Sequence, residues 1–141
     1  MRLTSFTDYG LRALMLMAST PGRAFSTADL AAQLLLSRNH LTKIMATLAH
    51  AGMVTTRRGG GGGAILAMPA DQIRLGDVVR LLESGQPLVE CFHKSGGDCS
   101  LTGRCRLKSR LGAAEAAFLA ELDRATLADI ALPPMTEALS A

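Results

Sequence analysis

All three cysteines of this chain lie in one short stretch, from Cys91 to Cys105. Seven residues separate Cys91 from Cys99, and five separate Cys99 from Cys105. Thiolates are soft ligands that suit iron–sulfur clusters or zinc. Glycines in both gaps allow the backbone to wrap around such a group, and nearby basic side chains would offset its negative charge: Lys94, Arg104, Arg106 and Lys108. The stretch therefore predicts a metal-binding loop, with an iron–sulfur cluster as the favoured occupant.

Two other interpretations of the cysteines stay open. One is zinc, with His93 as a fourth ligand, although Cys91 and His93 are too close in sequence for a relaxed tetrahedral site. The other is a loop of free thiols without a metal. The spacing matches neither the paired C-x2-C of a zinc ribbon nor the compact spacing of a bacterial ferredoxin. Three cysteines also leave one ligand position to be filled from elsewhere.

The composition predicts one helical domain with an apolar core. The chain has 141 residues, of which 48% are hydrophobic and only 4% aromatic, so the core must consist of Leu, Ala, Met and Val. The net charge of +3 is compatible with nucleic acid. No apolar run approaches the roughly 20 residues that cross a bilayer, which predicts no membrane partner. The odd cysteine count and the lack of a secretory signal predict a cytoplasmic protein with reduced thiols.

The first half of the chain has the pattern of a helix-turn-helix. Residues 4–19 form an amphipathic helix that Thr4 or Ser5 can cap, with Asp8 placed as in a capping-box variant. Ser26-Thr27 opens a second, short helix. Ser37 is a good N-cap for a third helix that runs from Arg38 to about residue 51. Two short helices joined by a tight turn, the second with basic and amide side chains near its start, are typical of this motif.

A β-hairpin follows the third helix directly. Residues 53–57 are rich in Val and Thr and predict a strand, five consecutive glycines predict a turn, and residues 64–68 predict the return strand. A hairpin in this position is the wing of a winged helix-turn-helix, here over residues 53–68. The glycines also resemble a phosphate-binding loop, but no Lys-Ser/Thr pair follows them.

These elements place a group of polar side chains for contact with DNA. Residues at the start of the third helix are positioned to meet base edges and phosphates: Ser37, Arg38, Asn39, His40 and, one turn later, Lys43. Arg57 and Arg58, beside the glycine turn, suit the DNA backbone or the minor groove. The alternative is an ordinary solvated basic face.

The second half of the chain predicts an amphipathic helix over residues 75–83 and a longer one from about Arg104 to Asp123. The longer helix has a continuous apolar stripe that suggests a partner chain: Leu107, Leu111, Ala114, Phe118 and Leu122. Thr126 can cap a last short helix that ends at Ala131. The predicted fold is mainly α, with a DNA-binding domain (1–83), a cluster-binding loop (84–105), a dimerisation helix with a short C-terminal helix (106–132) and a tail (133–141).

Several segments together resemble a known family. They are residues 1–14, with Thr-Asp-Tyr-Gly-Leu-Arg-Ala-Leu at their end, and residues 36–43, 57–63, 73–79, 105–108 and 118–129. The sequence resembles NsrR-type nitric-oxide-sensing repressors, within the family of winged-helix iron–sulfur regulators that also holds IscR. The resemblance implies a homodimer that binds a palindromic operator in double-stranded DNA, with nitric oxide as its signal.

The resemblance also implies a ligand set. In NsrR-type proteins the three cysteines hold a 4Fe-4S cluster, and an aspartate near the N-terminus of the other subunit is the fourth ligand; Asp8 matches that position. The IscR type instead has a histidine three residues after the last cysteine, where this chain has Lys108. That difference favours a 4Fe-4S cluster over a 2Fe-2S cluster.

Asp8 also has a purely structural interpretation. It can act as an acid in the first turns of a helix and pair with Arg12, four residues later. Because Asp8 cannot bind iron and pair fully with Arg12 at once, Arg12 is a candidate switch residue. The predicted function is a transcriptional repressor, not an enzyme, whose operator affinity depends on a cluster that reacts with nitric oxide. The alternatives are an IscR-type regulator of iron–sulfur assembly and a zinc-stapled structural adaptor.

Overall fold

The computed structural model describes residues 2–133, so Met1 and the predicted tail from residue 134 onward lie outside the described part of the chain. Five α-helices and two strands follow one another in the described part: α1 (Ser5–Ser19), α2 (Thr27–Leu34), α3 (Arg38–His50), β1 (Val54–Arg57), β2 (Gly63–Leu66), α4 (Leu75–Leu82) and α5 (Arg106–Asp123). Short 3-10 helices lie at Ala70–Gln72, Glu90–Phe92 and Leu127–Ile130. The predicted mainly α, winged-helix fold is confirmed.

The cap of α1 is as predicted, whereas three other details of the helix predictions differ from the structure. Thr4 caps α1 and accepts a hydrogen bond from the backbone N–H of Thr7 at 3.3 Å, so Asp8 takes no part in a capping box. Helix α5 begins at Arg106 because Cys105 occupies the N-cap position. The last element is a 3-10 helix that ends at Ile130, although its capping residue is Thr126 as predicted.

The turn between α2 and α3 is tight. A capping box opens α2, in which the N–H of Asp29 donates to Ser26 Oγ at 3.0 Å and the N–H of Ser26 donates to Asp29 Oδ2 at 3.1 Å. These hydrogen bonds with Ser26 lower the pKa of Asp29. The C-cap residue of α2 is Leu35, which has left-handed backbone angles (φ 55°, ψ 45°) and a side chain that is 90% exposed. Only two residues then precede α3.

We expect Leu35→Gly to raise the free energy of unfolding by about 1 kcal/mol, because a side chain at positive φ is strained and glycine is not. Leu35 has little packing to lose, since its side chain is almost fully exposed. The measurement is urea unfolding followed by circular dichroism. The matched control is Gln33→Gly inside α2, also at an exposed position, which should lower stability by about 1 kcal/mol. A loss of stability in Leu35→Gly would contradict the prediction.

The wing is fixed to the segment that precedes α2. Strands β1 and β2 pair antiparallel, with Val54 opposite Leu66. Phe25 adds a bridge to Ala64, because each backbone N–H donates to the carbonyl of the other at 2.9 and 2.8 Å. Gly63 has φ +152°, and a Cβ at this position would lie 2.5 Å from the carbonyl oxygen of Phe25. Glycine is therefore required for the contact that positions the wing.

Helices α1, α3 and α4 pack around the core, in which Leu14, Ile44 and Val78 are fully buried. Gly10 of α1 faces Leu82 of α4 so closely that there is no room for a Cβ between them. Helix α5 is different, because none of its residues is buried and Leu107 is 61% exposed. It packs against α4 but otherwise lies at the surface of the described chain. Within residues 2–133, no helix combines the length and apolar character needed to cross a membrane.

Candidate metal and nucleic-acid sites

The cysteines lie in the segment that joins α4 to α5. Cys91 is the central residue of the 3-10 helix at Glu90–Phe92, and Cys105 is the N-cap residue of α5. Cys99 lies between them in irregular backbone. All three are free thiols of intermediate exposure. A ligand bound by these residues would therefore connect the 3-10 helix at Glu90–Phe92 with the start of α5.

The structure does not bring the three thiols together as a metal site. Among the described residues, no group of three or more His, Cys, Asp or Glu side chains is placed to hold a metal ion, and this includes His93. The donor set still fits an iron–sulfur cluster, because three reduced thiols are the ligands that such clusters prefer. The loop backbone also turns through Gly96, Gly97 and Gly103, all at positive φ. Metal binding thus requires the loop to rearrange.

The predicted cluster-binding loop (84–105) is called the cysteine loop below. Two contacts that the sequence analysis missed anchor it. The N–H of Asp98 donates to Glu90 Oε1 at 3.1 Å, which closes the loop between the first two cysteines. The Phe92 ring lies against Gly112 of α5, where an added Cβ would be 3.8 Å from its Cζ. No spacing in the sequence indicates either contact. Through them the loop is held both to itself and to α5.

Asp8 is paired with Arg12 in the single chain. Arg12 Nε donates to Asp8 Oδ1 at 3.1 Å and Nη2 donates to Oδ2 at 2.6 Å, with both side chains about half exposed. The Arg12 guanidinium lies 5.5 Å from the centre of the Tyr9 ring. That ring in turn lies 6.0 Å from the His40 ring. A continuous series of contacts therefore connects Asp8 with the start of α3, through a tyrosine that the sequence analysis did not single out.

Glu83 fastens the start of α1 to the end of α4. Its Oε1 accepts hydrogen bonds from the N–H of Thr4 at 2.7 Å and from Thr4 Oγ1 at 2.9 Å. Partial burial acts to raise the pKa of Glu83, but hydrogen bonds from Thr7 and Thr4 outweigh it, and the pKa lies below its usual value. The segment that carries Asp8 is thereby held beside the start of the cysteine loop.

The predicted DNA-binding residues form two exposed groups. One lies at the start of α3 and the other on the wing, and every member is exposed: Ser37, Arg38, Asn39, His40, Lys43, Arg57 and Arg58. Ser37 occupies the N-cap position of α3, yet its side chain makes no capping hydrogen bond. Its hydroxyl is therefore available to an external acceptor such as a phosphate oxygen.

Known structures with a similar fold include IscR of T. potens, with 29% sequence identity and a TM-score of 0.72 over 92% of this chain and 85% of that one. The oxidized form of Staphylococcus aureus CymR has 27% identity and a TM-score of 0.72, over 93% of this chain and 96% of that one. CymR (YrzC), the global cysteine regulator of B. subtilis, has 26% identity and the same TM-score of 0.72, over 93% and 96% of the two chains.

The model of one protein family, described as Rrf2, iron-dependent transcriptional regulator, matches residues 3–132. This match spans the winged helix, the cysteine loop and α5. Regulators of this family bind DNA and are not enzymes. The chain belongs to the Rrf2 family of transcriptional regulators.

Proposed function

We propose that this chain is a homodimeric repressor of the NsrR type, whose operator affinity depends on an iron–sulfur cluster that reacts with nitric oxide. The observation that carries the proposal is the placement of the cysteines. All three are free thiols in the segment that joins the predicted DNA-binding domain (1–83), which we call the DNA-reading domain, to α5. A regulator of this family that uses the cysteines as cluster ligands would detect its signal at the junction between the DNA-reading domain and α5.

A second candidate is an IscR-type regulator of iron–sulfur assembly, favoured by the 29% identity with T. potens IscR. Lys108 argues against it. A lysine ammonium is a poor iron ligand, and this side chain is exposed in the first turn of α5. We therefore favour a 4Fe-4S cluster held by the three cysteines and by Asp8 of the partner subunit.

The exposure of α5 supports a homodimer. Leu3, Val79 and Leu88 line an open groove of about 510 Å³ together with Phe118 and Leu119 of α5. Leu107 is 61% exposed, and Phe118 and Leu119 are only partly buried. Apolar surface of this kind is stabilised when a second chain covers it. Two copies related by a two-fold axis would present two α3 helices to DNA, which is the arrangement that a palindromic operator matches.

Four side chains would hold the cluster, and each acts on a different part of the fold. Cys91 lies in the 3-10 helix at Glu90–Phe92, Cys105 occupies the N-cap position of α5, and Cys99 lies between them. Asp8 of the partner subunit would join the two copies. When bound, the cluster supplies iron that nitric oxide attacks. Without the cluster, the three cysteines would no longer restrain the loop, and Asp8 would be free to pair with Arg12 as it does in the described chain. We infer that this pairing changes the position of His40, because Arg12 contacts the Tyr9 ring and the Tyr9 ring contacts the His40 ring.

The experiment that tests this function is anaerobic purification with iron and sulfide analysis, followed by titration with nitric oxide while DNA binding is measured. The probe is a palindromic duplex selected by the protein from a pool of random-sequence DNA. We expect a coloured protein whose affinity for the duplex falls at least tenfold as nitric oxide is added. Iron-free, colourless protein with unchanged DNA binding would refute the sensor proposal.

We expect Asp8→Ala to keep the three cysteine ligands but to change the absorption spectrum of the cluster, because the fourth ligand is lost. It should also reduce the effect of nitric oxide on DNA affinity, since Arg12 then has no carboxylate to pair with in either state. The measurements are visible absorption and the same DNA titration. The matched control is Asp71→Ala, an exposed acid on the 3-10 helix at Ala70–Gln72. A wild-type spectrum and response would return Asp8 to a structural role in α1.

We expect Arg57→Ala to weaken DNA binding equally for all sequences, because a phosphate contact carries no sequence information. The slope of log affinity against log salt concentration is negative, and it should become shallower by about one unit. The measurement is fluorescence anisotropy over a salt series with the selected duplex and with a scrambled one. A change in sequence preference with an unaltered salt slope would instead assign Arg57 to base contact.

A further inference from the structure

The C-terminal end of α5 is fastened to α4 by a group of polar contacts that involve the N-cap residue and the last turn of α4. Arg80 donates two hydrogen bonds to Asp123, from Nη1 to Oδ1 at 2.7 Å and from Nη2 to Oδ2 at 2.6 Å. Arg74 Nη1 donates to the backbone carbonyl of Asp123 at 2.8 Å. We call these three residues the α4–α5 clasp.

The backbone reinforces the α4–α5 clasp. Gly76 of α4 lies so close to the Asp123 carboxylate that a Cβ would occupy the position of Oδ1. Immediately after α5, the N–H of Leu127 donates to the carbonyl of Ile73 at 2.8 Å, and the N–H of Leu75 donates to the carbonyl of Ala125 at 3.1 Å. Leu127 is itself fully buried in the core. One end of α5 is thus part of the DNA-reading domain.

The other end of α5 is held differently. Its N-cap residue is Cys105, in the cysteine loop, and none of the 18 residues of the helix is buried. A helix of this length spans about 27 Å. A tilt of about 10° at the α4–α5 clasp would displace the far end by about 5 Å, which exceeds the roughly 3.4 Å rise of one base pair. A small change in the direction of α5 at the α4–α5 clasp would therefore displace its far end by more than the spacing between adjacent base pairs of the operator.

The α4–α5 clasp is better suited to fixing this direction than to stabilising the fold. The side chains of Arg80 and Asp123 are 43% and 35% exposed, and ion pairs with such exposure contribute little to stability. A bidentate arginine–carboxylate pair nevertheless fixes orientation, because both donors and both acceptors must align. Hydrogen bonding with Asp123 raises the pKa of Arg80, and hydrogen bonding with Arg80 lowers the pKa of Asp123, so the pair favours the charged form of each partner.

We propose that Arg80 and Asp123 are positioning residues for DNA binding, which set the separation of the two α3 helices by fixing the angle between α5 and the DNA-reading domain. The proposal rests on the homodimer of the proposed function. It assigns these residues no contact with DNA and none with the cluster. Their effect should appear as a preference for one half-site spacing.

The test is the affinity of Asp123→Asn for the palindrome selected by the wild type, with its own spacing and with one base pair inserted at its centre. We expect the wild type to lose roughly thirtyfold in affinity on insertion and the variant to lose at most about threefold. Arg80→Gln should behave like Asp123→Asn. The matched control is Glu121→Gln, which removes the exposed ion pair with Arg124 on the same helix and should keep the wild-type preference. All proteins are compared at the same iron and sulfide content.

A stable, dimeric Asp123→Asn protein with the wild-type spacing preference would overturn the proposal, as would a wild type that binds both spacings equally. Thermal unfolding is the second measurement. A positioning role predicts a nearly unchanged midpoint in Asp123→Asn, whereas a role in stability alone would lower the midpoint and leave the spacing preference intact. Loss of the nitric oxide response in the wild type would refute the sensor proposal only, because the spacing test does not use nitric oxide.

Discussion

Cys99→Ala is expected to abolish cluster binding, so that iron and sulfide fall to background and DNA affinity equals that of the iron-free wild type. Cys99 is the middle ligand of the proposed set and lies in irregular backbone between the two helix ends. A 4Fe-4S cluster takes one protein ligand at each of its four irons, so the variant would leave one iron of the proposed set without a cysteine ligand. The measurements are iron and sulfide analysis, visible absorption and DNA titration, all under anaerobic conditions.

The neighbouring variant Ser100→Ala is the matched control, since Ser100 is exposed in the same loop and has no proposed role. It should bind iron and respond to nitric oxide as the wild type does. The fold itself should be insensitive to both changes, because Cys99 lies outside the hydrophobic core. A Cys99→Ala protein with full iron and sulfide content would contradict the proposed ligand set and would favour a site built from other residues.

Gly63→Ala is expected to lower the free energy of unfolding by about 3 kcal/mol, the upper range for forced overpacking. The added methyl would meet backbone rather than a movable side chain, at 2.5 Å from the carbonyl oxygen and 2.6 Å from the carbonyl carbon of Phe25. The strand must therefore separate from Phe25, and both hydrogen bonds of the Phe25–Ala64 bridge are lost. Urea unfolding measures the change in stability.

Gly60→Ala supplies the matched control within the same run of glycines. A Cβ at residue 60 meets no atom within 4 Å, and its φ is not positive. The free energy of unfolding of Gly60→Ala should be unchanged, or higher by up to about 1 kcal/mol, because alanine lowers the entropy of the unfolded chain. Equal losses of stability in both variants would mean that the glycine run has no position-specific role in attaching the wing.

The winged helix could be predicted from the sequence because its signals are local. Ser26 and Asp29 are three residues apart and form the capping box that opens α2. Gly52 has φ +78° directly after α3, as a helix stop requires, and the glycine run separates the two strands of the wing. Each of these signals depends on residues within one turn of one another, so the order and type of the elements follow from the chain itself.

The contacts that connect the elements could not be predicted in the same way. Thr4 and Glu83 are 79 positions apart, and Arg80 and Asp123 are 43 apart, so no periodic pattern relates them. The cysteines show a different limit. Their residue types predict a metal site, but the described chain does not bring the three thiols together. In the proposed function their arrangement would depend on a bound cluster and on a second chain, neither of which the folding of one chain supplies.

The tip of the wing has a thermodynamic consequence for operator binding. Added Cβ atoms at Gly59, Gly60 and Gly61 would meet nothing within 4 Å, so the folded chain gives this turn little support. If the turn becomes ordered when the wing contacts DNA, each residue fixed there costs about 1–2 kcal/mol of conformational entropy. The wing's contribution to affinity should then weaken as temperature rises. Restricting the backbone at residue 60 should strengthen DNA binding without adding a single contact.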